Sequence, residues 1–250
     1  MNQIGKRALL VGIARNEEAV AATGHLRKYG GHLGRTIGRF AAITCSPMGG
    51  AKPIPTPLSP RLVEAVAEAR RLHEGQGRKG TSVPYLAHLL AVTALVLEHG
   101  GSEDEAIGAL LHDAAEDAGG EGRLEAIREQ FGEPVAEIVA GCSDTFEDPK
   151  PPWAERKQRY LDHLREPGVS ESVLRVSLAD KLHNARALLL DYRAVGERVF
   201  ERFKTRSAAD QLWYYRSLAD IYRERLPGPM ADQLTRVVAE LEAAVGTPAT

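Results

Sequence analysis

Residues 109–117 read Ala-Leu-Leu-His-Asp-Ala-Ala-Glu-Asp, and this stretch decides how the rest of the chain is interpreted. The apolar residues 109–111 are typical of a buried helix, and four ionisable side chains follow them at once. Ionisable groups at the inner end of an apolar helix are costly unless a cation or hydrogen bonds compensate them. The stretch therefore indicates a metal or catalytic centre more than a solvated helix surface.

Two further stretches carry the same residue types on predicted helices. Residues 85–88 read Tyr-Leu-Ala-His directly after a glycine-containing loop, and residues 179–184 read Ala-Asp-Lys-Leu-His-Asn within a long helix. His88 and Asp180 from these stretches, added to the His-Asp pair of the first, would supply two imidazoles and two carboxylates. That mixture suits Mn²⁺, Fe²⁺ or another six-coordinate ion, and differs from a closed tetrahedral zinc site rich in cysteine.

Helix signals run through the chain from residue 59 onwards. Ser59 can cap a helix that Pro60 begins, and Ser102 with Glu105 forms a capping box. The regular alternation of apolar and polar residues that marks a half-buried strand is absent from the sequence. We therefore predict an all-α fold, a bundle of about eight or nine helices. The aromatic residues of its last two helices, predicted within 197–245, are interpreted as core rather than as a platform for stacking bases.

The charge changes sign along the chain. Residues 1–57 carry eight Lys and Arg against two acidic residues, whereas the whole chain has a net charge of −2. Prolines 53, 55, 57 and 60 are typical of an extended linker. We predict that residues 1–57 form a poorly defined basic arm and Pro-rich linker, either disordered or an over-extended start. Residues 58–247 are predicted to form the helical domain.

Composition excludes several classes of function. No run of 18 or more apolar residues is present, so no membrane span is expected. The net charge of −2 gives no general attraction to nucleic acid or anionic lipid. Two cysteines are too few for a disulfide framework and fit a reducing cytosol, so a cytoplasmic protein is expected. The oligomeric state is left open.

Residues 69–192 resemble the HD-type hydrolase domain of the RelA/SpoT family, and more narrowly the small stand-alone alarmone hydrolases. The resemblance rests on Arg78-Lys79-Gly80…Pro84-Tyr85-x-x-His88, residues 109–117, Phe131-Gly132-x-x-Val135-Ala136 and residues 178–186, in the family's order. It implies an HD-domain helical bundle that removes the 3′-pyrophosphate of guanosine tetra- or pentaphosphate, (p)ppGpp, giving GDP or GTP and pyrophosphate. The signatures of the family's synthetase domain are absent from the sequence, so hydrolysis alone is expected.

The resemblance also implies roles for individual residues. It implies that one metal ion, usually Mn²⁺, is bound by His88, His112, Asp113 and Asp180. It implies that Glu116 and Asp117 orient or deprotonate the attacking water, and that Arg78, Lys79 and Asn184 contact the nucleotide. Lys181, next to a metal ligand, is a further cation that could offset the charge of a pyrophosphate.

The chain departs from the family beside the nucleotide pocket. The loop before Pro84 lacks the usual acidic residue, and Leu89 stands where a proline is usual. These differences bear on the substrate more than on the metal. Asp144, in another divergent stretch, is interpreted as a local cap, with an acidic pocket residue as the alternative. His183 is interpreted as a residue that orients Asp180 or a neighbouring helix.

Other hypotheses about function stay open at this point. An HD phosphohydrolase could act on a different nucleotide, namely the 2′-phosphate of NADPH, the adenosine analogue ppApp or a 5′-nucleotide. The chain could instead be an antitoxin that neutralises an alarmone-synthetase toxin, and the basic arm would then contact this partner. A degenerate domain kept as a binding scaffold is disfavoured, because a scaffold need not retain the full set of ligand and acidic residues.

Overall fold

The computed structural model describes residues 55–117, 119–147 and 149–246, apart from the side chain of Asp117. These residues belong to one compact unit, Pro53–Thr250. The predicted basic arm lies outside the described residues as far as residue 54. Its disorder and the domain boundary predicted at residues 57–58 therefore stay predictions.

The described residues form helices joined by loops and contain no β-strand, which confirms the all-α prediction. The helices are α1 (Pro60–Leu72), α2 (Tyr85–Glu98), α3 (Glu103–Leu111), α4 (Ala114–Asp117), α5 (Gly120–Phe131), α6 (Glu133–Cys142), α7 (Trp153–Arg165), α8 (Glu171–Val195), α9 (Ala208–Arg225) and α10 (Pro229–Gly246), with a 3-10 helix at Gly196–Arg202. None of the described helices combines the length and hydropathy that crossing a membrane requires.

Serine side chains fix where several helices begin. The hydroxyl of Ser59 accepts a backbone hydrogen bond in front of α1, and Ser102 and Glu105 form the predicted capping box at α3. Ser170 and Ser207 accept equivalent bonds at the starts of α8 and α9. Each cap satisfies an N–H group that the first helical turn leaves unpaired. The caps of α1 and α3 depend on residues that are close in sequence, so the sequence alone predicts them.

Helix α8 forms the centre of the fold and contacts α2, α3, α6, α9 and α10. Its buried face carries Leu178 and Leu182 together with the polar residues Ser177 and Asp180. Helices α2 and α3 pack on each other and on α8. Polar side chains from all three helices can therefore meet in the interior.

A glycine sets the distance between α3 and α6. A Cβ atom at Gly108 would lie 2.6 Å from Cγ2 of Ile138, well inside the contact distance of two carbon atoms. Glycine at this position thus lets α3 lie close to α6. The packing fixes the end of α3, where His112 follows its last residue.

Two local elements differ from the predicted helices. The single turn α4 directly follows His112 and Asp113, and a four-residue helix is too short to leave a periodic pattern. The predicted helical stretch from residue 197 is a 3-10 helix as far as Arg202, and α9 begins only after the cap at Ser207.

Candidate active site

Three helices bring two histidines and an aspartate together. His88 lies near the start of α2, His112 directly follows α3, and Asp180 lies in the middle of α8. Nε2 of His88 is 3.2 Å from Oδ1 of Asp180, and Nε2 of His112 is 3.6 Å from the same oxygen. One ligand atom from each residue lies within 4.8 Å of the others. The three buried side chains form a group that could hold a metal ion.

Both histidine rings are anchored through Nδ1. Nδ1 of His112 lies 2.8 Å from the carbonyl oxygen of Ala109, which can only accept, so Nδ1 carries a proton and Nε2 is the nitrogen available to a metal ion. Nδ1 of His88 lies 2.8 Å from Nδ1 of His183. Both Nε2 atoms are buried and face carboxylate oxygens, but among the described residues neither forms a hydrogen bond of good geometry. Buried imidazole nitrogens anchored in this way fit the role of metal ligands.

Asp113 and Asp180 place two carboxylates at the cluster. Oδ2 of Asp113 lies 3.1 Å from Nε2 of His112 and accepts a hydrogen bond from the hydroxyl of Tyr85. Asp180 is held on both oxygens, since Nζ of Lys181 lies 2.5 Å from Oδ2 and an amide donates to Oδ1. Two imidazoles and two carboxylates fit a divalent ion that accepts both nitrogen and oxygen ligands.

The charged groups of the cluster shift one another's pKa values. Burial tends to lower the pKa of His112, but Asp113 and Asp180 outweigh it and raise that pKa well above its usual value. Burial also tends to raise the pKa of Asp180, but Lys181 and His112 hold it well below its usual value. A metal ion bound at Nε2 of His112 would compete with a proton, so its affinity should rise with pH.

The cluster lies beside two adjoining cavities. The smaller cavity, of about 230 Å³, is lined by Asp113 and Asp180 together with Glu116, Lys181 and Asn184. The larger cavity, of about 390 Å³, is also lined by Glu116, Lys181 and Asn184. Its lining includes seven cationic side chains: Arg78, Lys79, Arg156, Lys157, Lys181, Arg202 and Lys204. This positive lining suits a ligand that carries several phosphate groups.

The structure places all four predicted substrate-binding residues on the larger cavity. Nη2 of Arg78 donates to Oδ1 of Asn184 across 3.0 Å, and Nδ2 of Asn184 donates to Asp180 across 2.5 Å. Lys79 is exposed at the cavity, whereas Lys181 is engaged by Asp180. A hydrogen-bonded chain therefore connects the larger cavity to the metal-binding cluster.

Glu116 lies on α4 and lines both cavities. Its Oε1 is 2.8 Å from Nζ of Lys150, and its Oε2 accepts from the backbone N–H of Asp144 across 3.4 Å. Burial and the charge of Asp144 raise the pKa of Glu116, which moves it toward the range useful for proton transfer near neutral pH. The side chain of Asp117 lies outside the described residues, so its role stays a prediction.

A family model described as the HD domain matches residues 65–207, more than half of the chain, and this range includes the whole cluster. The chain belongs to the HD domain family. The prediction of an HD-domain helical bundle is thereby confirmed.

Relatives of this HD domain bear out the resemblance to the RelA/SpoT family. The bifunctional (p)ppGpp synthase/hydrolase SpoT of Escherichia coli is 33% identical over 132 residues, which cover 51% of this chain and 18% of that protein. The guanosine-3′,5′-bis(diphosphate) 3′-pyrophosphohydrolase of Haemophilus influenzae is 33% identical over 124 residues, 48% of this chain and 17% of that one. This chain therefore matches less than a fifth of the length of either relative.

A solved structure supports the fold. The crystal structure of lmo0812 from Listeria monocytogenes is 27% identical to this chain and superimposes with a TM-score of 0.54. The superposition covers 64% of this chain and 99% of the other.

Asp144 is a buried ion-pair partner in the HD domain, so its interpretation as a local cap is wrong. Its Oδ2 lies 2.5 Å from Nη1 of Arg156 and 2.6 Å from Nζ of Lys157, and its side chain is 5% exposed. Asp144 also lines the smaller cavity, which is the alternative that the sequence left open. The two cations that hold it are on α7, too far along the chain for a local pattern to connect them with Asp144.

Sequence reasoning missed the cations that α7, its preceding loop and the 3-10 region place near the site. They are Lys150, Arg156, Lys157, Arg202 and Lys204. In sequence these residues are scattered charges, which are usually solvated, and only the packing of distant elements shows that they face Glu116, Asp144 or the larger cavity.

The aromatic residues of α9 and His183 are both interpreted from the sequence as structural. Tyr214, Tyr215 and Tyr222 of α9 are buried, in agreement with their interpretation as core, whereas Trp213 of the same helix is 37% exposed. Tyr214 and Tyr215 also form part of the wall of the larger cavity. His183 contacts a neighbouring helix through His88, one of the two contacts predicted for it.

Proposed function

We propose that this HD domain is a metal-dependent phosphohydrolase that removes the 3′-pyrophosphate of (p)ppGpp, leaving GDP or GTP. The observation that carries the proposal is the position of the His-His-Asp cluster beside a cavity lined by cations. The names of the relatives, which include a 3′-pyrophosphohydrolase of this nucleotide, support the substrate.

The metal ion would be held by His88, His112, Asp113 and Asp180, and Mn²⁺ is the ion we propose. Both histidines present an anchored ring whose Nε2 faces carboxylate oxygens. A divalent ion held there would stabilise charge on a phosphoryl oxygen and lower the pKa of a water molecule. The hydrogen bond from Tyr85 to Asp113 would keep that carboxylate oriented.

Glu116 would take the proton from the attacking water, with Asp117 beside it on α4. The oxygen of the water then bonds to the phosphorus attached to the ribose 3′-oxygen, and the bond from that phosphorus to the 3′-oxygen breaks. The 3′-oxygen receives a proton and remains on GDP or GTP, and pyrophosphate leaves. The raised pKa of Glu116 suits this proton transfer.

The substrate would be positioned by Arg78, Lys79, Lys181 and Asn184. Arg78 is hydrogen-bonded to Asn184, and Asn184 is hydrogen-bonded to Asp180. Binding of the nucleotide would therefore affect the position of Asp180 in the cluster. Lys181 contacts Asp180 and lines both cavities, where its charge would offset that of the leaving pyrophosphate.

A different phosphorylated nucleotide is a second candidate substrate. Arg202 and Lys204 extend the positive lining of the larger cavity beyond the four predicted substrate-binding residues. Such a lining would also accommodate a phosphate at another position of a nucleotide, as in NADPH, ppApp or a 5′-nucleotide.

The test is turnover of a nucleotide panel by the purified full chain with Mn²⁺, with EDTA and the Asp180→Asn variant as controls. The panel contains ppGpp, pppGpp, ppApp, NADPH and 5′-monophosphates, and the products are resolved by chromatography. Mn²⁺-dependent formation of GDP and pyrophosphate from ppGpp supports the proposal. Turnover of another nucleotide alone would replace the substrate, and turnover that persists in Asp180→Asn would remove the assigned metal site.

A further inference from the structure

Lys150 lies on the Pro-rich loop between α6 and α7 and has no role in the function proposed above. Its Nζ is 2.8 Å from Oε1 of Glu116, and the backbone N–H of Asp144, on the same loop, donates to Oε2 across 3.4 Å. One loop, residues 143–152, therefore holds both oxygens of the Glu116 carboxylate. The contact is tertiary, since Glu116 belongs to α4.

Acidic groups surround Glu116 in the smaller cavity. Its charged lining residues are Asp113, Glu116, Asp144, Lys157, Asp180 and Lys181. Nζ of Lys181 lies 2.5 Å from Asp180, so its hydrogen bond goes to another carboxylate. Lys157 lies 2.6 Å from Asp144 and is committed in the same way. Lys150 is the residue whose ammonium group forms a salt bridge with Glu116.

The salt bridge opposes the effects that favour a protonated Glu116. Burial and the charge of Asp144 raise the pKa of Glu116, and Lys150 lowers it in part through the hydrogen bond and its charge. Removing the ammonium group would leave the first two effects unopposed, so the pKa would rise further. Glu116 would then become ionised only at a higher pH, and only the ionised carboxylate can accept a proton.

We propose that Lys150 is a positioning residue that keeps the Glu116 carboxylate ionised and fixed in orientation at the cavity. This inference rests on the proposed function, in which Glu116 accepts the proton of the attacking water. Lys150 acts through Glu116, because its hydrogen bond and salt bridge are to Glu116 and not to the proposed metal ligands or the predicted substrate-binding residues.

The first experiment measures kcat and KM for ppGpp with Mn²⁺ across a pH series. Lys150→Met is compared with Lys150→Arg and with the control Arg159→Met, which removes an exposed cation of α7 that pairs with Glu147 and Glu155. For Lys150→Met we expect the acidic limb of the kcat profile to move to higher pH, so that kcat on that limb falls by up to about tenfold while KM is unchanged. Lys150→Arg should restore most of kcat, and Arg159→Met should behave as the unaltered chain.

The same substitution is then made in a Glu116→Gln background. If Lys150 acts through Glu116, Lys150→Met has no further effect on kcat there. An unchanged kcat and pH profile in Lys150→Met would overturn the proposal. So would a loss confined to KM, which would make Lys150 a substrate-binding residue, or a rise in kcat, which would make the salt bridge inhibitory.

A second readout needs no turnover. Glutamate carboxyl carbons labelled with ¹³C are titrated by NMR, and the resonance of Glu116 is identified by its absence in Glu116→Gln. The pKa of Glu116 should be higher in Lys150→Met than in the unaltered chain. If the unaltered chain hydrolyses no nucleotide, the proposed function fails, while this titration still tests Lys150. An equal pKa in both proteins would overturn its role.

Discussion

Nε2 of His88 on α2 and Oδ1 of Asp180 on α8 lie 3.2 Å apart in the interior of the HD domain. Two polar groups from distant parts of the chain are buried here, a placement that is costly without compensation. The anchoring of His88 by His183 and of Asp180 by Lys181 and Asn184 shows that both side chains are held in place. Predictions about metal binding follow from this arrangement.

Asp113→Ala should abolish measurable turnover and weaken Mn²⁺ binding by more than about 100-fold, because it removes one carboxylate of the proposed donor set. Isothermal titration of Mn²⁺ into the purified protein measures the affinity. Asp162→Ala is the matched control, since Asp162 is an exposed residue of α7. Unchanged affinity in Asp113→Ala would remove this residue from the metal site.

His183→Leu should weaken Mn²⁺ binding by about 10- to 100-fold without unfolding the protein. Burial together with the charges of His88 and Arg78 lowers the pKa of His183 to about 4. His183 is therefore neutral at pH 7, and its Nδ1 can accept a hydrogen bond from Nδ1 of His88. The substitution frees the ring of His88 to rotate. The control is His163→Leu on the partly exposed face of α7, and equal affinities in the two variants would count against the anchoring role.

Asp144→Asn should lower the free energy of unfolding at pH 7 by about 3 kcal/mol, because it leaves Arg156 and Lys157 without their buried partner. Although burial tends to raise the pKa of Asp144, the charges of Lys157 and Arg156 lower it below its usual value. A lowered pKa stabilises the fold above the unfolded value of about 3.9, and this stabilisation is lost as the pH falls through the folded value. Urea unfolding at several pH values should show the difference between variant and parent shrinking in acid, and a constant difference would contradict the assignment.

Gly108→Ala should destabilise the fold by about 1 to 3 kcal/mol, because its Cβ would lie 2.6 Å from Cγ2 of Ile138 and force α3 away from α6. Gly122→Ala is the matched control on α5, where a Cβ would meet no atom within 4 Å. That change should be neutral or stabilise by up to about 1 kcal/mol. Thermal unfolding of both variants gives the comparison, and equal melting temperatures would refute the close-packing argument.

The sequence predicts those parts of the fold that depend on local signals. Ser102 and Glu105 predict the start of α3, and apolar periodicity predicts α2 and the long α8. The single-turn α4 and the 3-10 helix at Gly196–Arg202 have no such signal, because they are stabilised by packing against the rest of the domain.

The candidate site, like the fold, has residues that the sequence predicts and residues that it does not. His88, His112 and Asp180 stand in short motifs whose order predicts that they meet, and the structure brings them together. The partners of Glu116 and Asp144 could not be predicted, because they come from the loop before α7 and from α7 itself. Which face of α7 turns inward depends on its contact with α9, and single-sequence charge patterns do not contain that information.

The proposed function requires this HD domain to break the bond at the 3′-oxygen of ppGpp in a metal-dependent reaction. It is tested most directly by hydrolysis in ¹⁸O-labelled water, using protein stripped with EDTA and then supplied with Mn²⁺, with the products identified by mass spectrometry. We expect no products before Mn²⁺ is added, and afterwards equal amounts of GDP and pyrophosphate, with the label in pyrophosphate alone. Turnover by the stripped protein, release of single phosphates, or label in GDP would contradict the claim.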